Sequence, residues 1–235
     1  MLTRLKTAIK DRVHQHYGVP RIDFAMNRLS EQGFSPDLIF DVGAYEGEFA
    51  QICREVWPSS YIACFEPQEE AAAKLRDDAD QEMSVYNVLL GPRNEGEVSL
   101  HRAGTASSVL DEHEESHPMS THRMRTVDTI MSEDFKGQGP DLIKLDVQGY
   151  ELEVLRGGED ALDSASAVLA EVNLIDIHEG APLLAEVVKW LAQRGFVAFD
   201  ICGIHRRPLD DALWQADMIF VPRDFPVRED KRWQS

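Results

Sequence analysis

Five charged residues stand where apolar runs give way to turns. Asp41 lies in the run Leu38-Ile39-Phe40-Asp41-Val42, just ahead of a turn that carries Gly43 and Gly47. Glu66 closes a second apolar run, 25 residues after Asp41. Lys144 and Asp146 lie two apart in Leu142-Ile143-Lys144-Leu145-Asp146-Val147, and Glu171 and Asn173 repeat that spacing further on. Residues two apart on a strand leave the same face, and charges inside a buried strand are costly unless paired. If the two strands are neighbours, Lys144, Asp146, Glu171 and Asn173 converge at one sheet edge. They then form either a self-satisfying Lys144–Glu171 ion pair or a working site. His178, close behind the Glu171 strand, is either a base with a suitable pKa or a surface residue in a connecting loop.

An acid at the end of a second strand can take hydrogen bonds from both hydroxyls of a ribose. A nicotinamide dinucleotide would use the same acid, so Glu66 does not name the ligand. The glycine turn discriminates better. A dinucleotide site wants Gly-x-Gly-x-x-Gly to seat a pyrophosphate on a helix N-terminus, but positions 43, 45 and 48 are Gly, Tyr and Glu. A carboxylate there repels phosphate. The turn suits a phosphate-free nucleoside, and S-adenosylmethionine, with its sulfonium cation, fits.

The elements that must hold these residues follow from periodicity. Apolar spacing predicts helices over 22–32, 68–79, 150–155 and 182–194, and one that carries Phe49, Ile52, Cys53 and Val56 and is closed by Pro58. Strands are expected over 38–42, 61–66, 85–90, 97–101, 141–147, 167–174, 196–201 and 218–221. Strands alternating with helices predict a doubly wound, mostly parallel α/β sheet. From Arg102 to Thr121 the pattern dissolves into a polar loop, and regularity returns near 124–131. His101, His113, His117 and His122 gather in and beside that loop. His113 and His117, four apart, would bind a metal from one helix face or belong to a polar lid over the substrate.

Composition narrows the function classes. The formal net charge of −18 argues against a nucleic-acid partner. Cys53, Cys64 and Cys202 are an odd count without metal-ligand spacing, which reads as buried thiols in a reducing, cytoplasmic compartment. No stretch has the length of a membrane-spanning helix, and residues 1–17 lack the core of a signal peptide. Leu2, Leu5, Ile9 and Val13 recur at helical spacing among basic residues. Such a helix would cap the domain, join a homodimer, or lie on a membrane surface. The expected organisation is a helical extension over 1–36, a catalytic domain over 37–225 and a polar tail over 226–235.

Ordered motifs carry a family resemblance over roughly residues 37–175. They are Asp41-Val42-Gly43-Ala44-Tyr45-Glu46-Gly47, Phe65-Glu66-Pro67, Val88-Leu89-Leu90-Gly91, Ser107-Ser108, Val127-Asp128-Thr129-Ile130, and Ile143 to Glu151 with Val154-Leu155-Arg156-Gly157-Gly158. Together they resemble the FkbM family of S-adenosylmethionine-dependent methyltransferases. The resemblance implies a seven-stranded class I methyltransferase sheet with its last strand antiparallel. It also implies O-methylation of a hydroxyl on a sugar, glycan or natural product. By position, Asp41, Gly43, Ala44, Tyr45 and Gly47 would surround the methionine end of the cofactor. Glu66 and Pro67 would hold the ribose, Asn87 and Val88 would border the adenine, and Asp146 would lie beside the methyl group. Tyr45 stands where relatives often have Asn, and Gln148 where they often have Glu.

A carboxylate is too weak a base to ionise a sugar hydroxyl in advance. Proton removal must accompany methyl transfer, assisted by Asp146, Lys144, Glu171 or His178, or a metal must acidify the hydroxyl. Asp146, Glu171 and Asn173 offer oxygen ligands of the kind Mg²⁺ accepts. They resemble the set in catechol-type O-methyltransferases, although Glu171 and Asn173 are not adjacent. Two competing readings use the same sheet: an NAD-dependent oxidoreductase, and an inactive binding module. A module would have no need of Asp41, Glu66 and Asp146 together.

Overall fold

The computed structural model describes residues 18–101, 108–110 and 119–233. The amphipathic N-terminal segment, Ser107, and the His113/His117 pair lie outside the described residues. Helix α1 (Ile22–Glu31) precedes strand β1 (Leu38–Val42), and α2 (Glu48–Val56) leads to β2 (Tyr61–Phe65). Next come α3 (Glu69–Asp78), β3 (Met83–Tyr86), β4 (Leu89–Leu90), β5 (Glu95–His101) and β6 (Met119–Arg125). The second half runs α4 (Val127–Asp134), β7 (Leu142–Leu145), α5 (Glu151–Arg156), α6 (Glu159–Ser164) and β8 (Ala167–Asn173). It ends with α7 (Leu184–Gln193), β9 (Phe196–Arg206) and β10 (Leu213–Pro222).

Seven strands form one sheet in the order β3-β2-β1-β7-β8-β10-β9, and β10 runs antiparallel to both neighbours. Strand order reverses between β1 and β7, which opens a crevice at the carboxyl ends of those strands. Alternation along β1 divides its side chains between two apolar layers. Phe40 and Val42 pack with α4 to α7, while Ile39 packs with α1 and α2. Asp41, Lys144 and Glu171, each two residues on from Ile39, Leu142 and Leu169 of the second layer, lie on that same face and are buried. Ala25, Met26 and Leu29 of α1 are buried in that layer, as is Phe225; Val227 packs against it.

Three expectations about elements need correction. The strand expected over 85–90 breaks at Asn87. There the Asn87 amide donates to the carbonyls of Glu66 (3.0 Å) and Pro67 (2.9 Å), and the Val88 N–H closes a three-residue turn onto the Tyr86 carbonyl. The chain thus leaves the main sheet, and β4 joins a separate three-stranded sheet, β4-β6-β5. The polar stretch expected to reach Thr121 is already strand from Met119, where Met119 to His122 pair antiparallel with His101 to Val98 of β5. The final strands extend well beyond 196–201 and 218–221 as a long antiparallel pair with register shifts. All three cysteines are buried and free. Among the described residues no helix is long and apolar enough to cross a membrane.

Candidate active site

The turn after β1 is held by its neighbours. The N–H groups of Gly43 and Ala44 both donate to the Phe65 carbonyl, at 3.0 and 3.2 Å. Gly43 takes φ +75, and a Cβ there would fall 1.9 Å from the Asp146 carbonyl oxygen. Only glycine lets this turn close against the end of β7. Tyr45 takes φ +45, a region that Asn tolerates better than Tyr. That accounts for the Asn expected in relatives at this position.

Glu66 is buried at the mouth of the crevice. Its carboxylate accepts the N–H of Tyr45 (2.9 Å) and of Gln68 (2.8 Å), so its direction is fixed before any ligand arrives. Burial pushes this carboxyl up, and the two backbone hydrogen bonds pull it partly back. Around it, Val42, Phe65, Pro67, Val88, Leu89 and Val147 line a mostly apolar cleft, the kind of surface on which a few placed polar groups orient a small ligand. No Lys or Arg lines this cleft among the described residues, and its two charged groups are the acids Glu66 and Asp146. Asn87 is exposed and committed to the Glu66–Pro67 backbone; it braces the cleft rather than lining it.

Asp146 also lines a second recess, with Gly43, Ala44, Tyr45, Phe49 and Lys144. It therefore stands where the two spaces meet. Its Oδ1 accepts from Gln148 Nε2 (3.0 Å), and its side chain is 39% exposed, open to a ligand. Gly47 lies outside both recesses. Lys144 is committed elsewhere: its Nζ donates to the Gly43 carbonyl (2.7 Å) and is 3.2 Å from Asp41 and 3.5 Å from Asp146. Burial works against its charge, but the two carboxylates outweigh that and hold its pKa up. The Lys144–Glu171 pair considered above is therefore replaced by Lys144–Asp41, because β1, not β8, sets Asp41 directly opposite Lys144.

Two supports fix the loop after Asp146. Glu151, buried at the start of α5, accepts the N–H groups of Val147 and Gly149, both at 3.1 Å. Burial pushes its pKa to about 7 against those bonds. Ser108 donates to the Gln148 carbonyl (2.8 Å) and ties the described residues 108–110 to the same loop. His178 is only 1% exposed, so the surface-residue reading is excluded.

Glu171 and Asn173 meet residues that sequence reasoning missed. Gln215 Nε2 lies 2.6 Å from Glu171 Oε2, 3.2 Å from Asn173 Oδ1 and 3.4 Å from Gln148 Oε1. Asp217 is the cross-strand partner of Glu171, and its Oδ2 is 2.9 Å from His205 Nε2. That contact is the first cause of the raised His205 pKa. Ligand atoms of Glu171, His205 and Asp217 all lie within 4.8 Å of one another. The signal was present: Gln215 and Asp217 repeat the two-residue polar spacing of Glu171 and Asn173. It was lost because the strand was expected to begin at Met218.

The sheet order, the antiparallel penultimate position of β10 and the glycine turn facing an acid on β2 define a class I methyltransferase fold. The magnesium protoporphyrin IX methyltransferase ChlM of Synechocystis PCC 6803, solved with bound S-adenosylmethionine, shares that fold at a TM-score of 0.50 and 10% identity, over 85% of this chain and 77% of that one. Residues 41–198 match the methyltransferase FkbM domain, and the chain belongs to that family. Two curated relatives are the hexuronic acid methyltransferase AglP of Haloferax volcanii and the 2-O-methyltransferase NoeI of Sinorhizobium fredii. AglP is 28% identical over 165 residues, which cover 67% of this chain and 65% of AglP. NoeI is 25% identical over 182 residues, 69% of this chain and 74% of NoeI.

Proposed function

We propose that the chain is an S-adenosylmethionine-dependent O-methyltransferase acting on a hydroxyl of a sugar-like acceptor. The observation that carries this reading is the Glu66 cleft. It offers a pre-oriented carboxylate for a ribose diol, apolar walls for a purine and, among the described residues, negative charge with no basic group. A pyrophosphate would be repelled there and a sulfonium attracted, which disfavours the NAD-dependent oxidoreductase. The names of AglP and NoeI support a sugar acid as the acceptor class and a hydroxyl oxygen as the acceptor atom.

The cofactor supplies an electrophilic methyl group on a good leaving group. What remains for the protein is alignment and proton removal. Glu66 and the backbone of the glycine turn hold the nucleoside, and Lys144 keeps the β1 and β7 ends in register. Asp146, at the junction of the two recesses, orients the acceptor hydroxyl and takes its proton at a carboxylate oxygen as transfer proceeds. His178, enclosed behind β8, and Lys144, already engaged, are left with structural roles.

Calorimetric titration with S-adenosylhomocysteine and with NAD⁺ tests the reading. The full chain should bind the first and not the second, and Glu66→Ala should weaken binding roughly 10- to 100-fold, as for a lost hydrogen bond to a charged group. Binding of NAD⁺ instead, or indifference to Glu66→Ala, overturns it.

A further inference from the structure

We propose that Glu171, His205 and Asp217 bind one divalent cation, of the kind that accepts mixed carboxylate and imidazole ligands, next to the methyl-transfer site. The inference rests on the proposed function only for its role in catalysis; the site itself rests on geometry. Three adjacent strands, β8, β9 and β10, each supply one ligand, so the set is held by the sheet rather than by loops. Their ligand atoms already lie within 4.8 Å of one another, and a modest closing of the side chains would surround an ion. Gly203, directly opposite Asp217, is part of the construction. A Cβ at Gly203 would fall 1.8 Å from Asp217 Oδ2, so only glycine leaves the carboxylate room to turn toward His205.

Charge points the same way. Glu171 is 7% exposed and the Asp217 side chain 13% exposed, yet they are set side by side. The carboxylates of Asp146, Glu151 and Asp217 surround Glu171 with charge of its own sign. Lys144 opposes this from a distance, but its short contacts are to Asp41, Asp146 and the Gly43 carbonyl. A cation between Glu171 and Asp217 would relieve the repulsion.

A second observation lies beside the trio. Asn173, two residues from Glu171 on the same face and 2% exposed, has an amide nitrogen Nδ2 with no hydrogen-bond partner among the described residues. Such a donor needs an acceptor, and an oxygen ligand carried by the ion would be one. Two carboxylates and an imidazole suit Mn²⁺ or Zn²⁺ better than Mg²⁺, which prefers an all-oxygen shell. The cation would take an acceptor hydroxyl or carboxylate oxygen as a further ligand. An otherwise acidic protein could thereby receive an anionic sugar.

The test uses the full chain, stripped with EDTA and dialysed, then titrated with MnCl₂ under electron paramagnetic resonance and with ZnCl₂ by calorimetry. One site per chain is expected. His205→Ala and Glu171→Gln should each weaken it by more than the roughly tenfold that loss of an outer hydrogen-bond partner costs a metal site. S-adenosylhomocysteine affinity, measured on the same samples, should stay unchanged and reports that the variants are folded. A chain that binds S-adenosylhomocysteine but neither metal overturns the proposal, as does metal binding that both variants retain. Metal binding without S-adenosylhomocysteine binding would instead overturn the cofactor reading and leave the cation site standing.

Discussion

Asp146 is the side chain on which the two recesses converge, and its exposure sets it apart from the buried charges around it. Asp146→Asn keeps the shape and the contact to Gln148 but removes the proton acceptor. Turnover should fall about 10²- to 10⁴-fold while S-adenosylhomocysteine affinity changes by only a few-fold, measured by labelled-methyl transfer beside calorimetry. Unchanged turnover would remove Asp146 from the mechanism. That Asp41, Glu66, Lys144, Asp146 and Glu171 stand at the ends of core strands was legible, because each interrupts an apolar run where a charge is expensive. Their pairing was not. Lys144 reaches Asp41 because β7 lies beside β1 in register Asp41–Lys144, and strand order is not written in local spacing. His205 and Asp217 were overlooked for a related reason: both stand on the terminal hairpin, where half-exposed strands mix polar and apolar residues on both faces.

At the scale of elements, the strand–turn–helix unit from Leu38 to Val56 was read within a residue or two, since its periodicity switches from sheet to helix at the glycines. Elements shaped by long-range contact were read poorly. The break at Asn87 depends on carbonyls twenty and twenty-one residues earlier in the chain. The short helix α6 hangs on Asp128, whose carboxylate accepts the N–H groups of Asp160 and Ala161 from across the fold. The glycine turn itself is the most demanding element. Gly43→Ala would place a methyl group against the Asp146 carbonyl in a left-handed conformation that alone costs roughly 1–2 kcal/mol. The expected loss therefore exceeds about 2 kcal/mol by urea denaturation, with weakened S-adenosylhomocysteine binding. A variant as stable as the parent would mean that the β1 turn and the β7 end do not approach as closely as described.

For the whole molecule, the gathering of acids at one sheet edge sets how stability depends on pH. Asp41, Glu66, Glu151 and Glu171 all have folded-state pKa values above their ordinary ones, with burial the first cause in each case. A carboxyl whose pKa is raised by folding binds its proton more tightly in the native state. Its full contribution to stability is present below the unfolded pKa and is lost as pH rises through the folded value. For Glu151 that window runs from 4.5 to about 7, and the loss is at most about 3 kcal/mol. The net charge of −18 adds self-repulsion of the same sign at high pH. Thermal midpoints should therefore fall as pH is raised from about 5 to about 8. Glu151→Gln, which still accepts the Val147 and Gly149 N–H groups but does not ionise, should flatten that slope. The two sources separate with salt: about 0.5 M NaCl screens surface repulsion over a few ångströms but reaches the buried carboxyl little, so the difference between parent and variant should survive it. A midpoint that rises with pH across this window would mean that Glu151 is ionised in the folded protein, which at its buried position requires a cation beside the loop after Asp146.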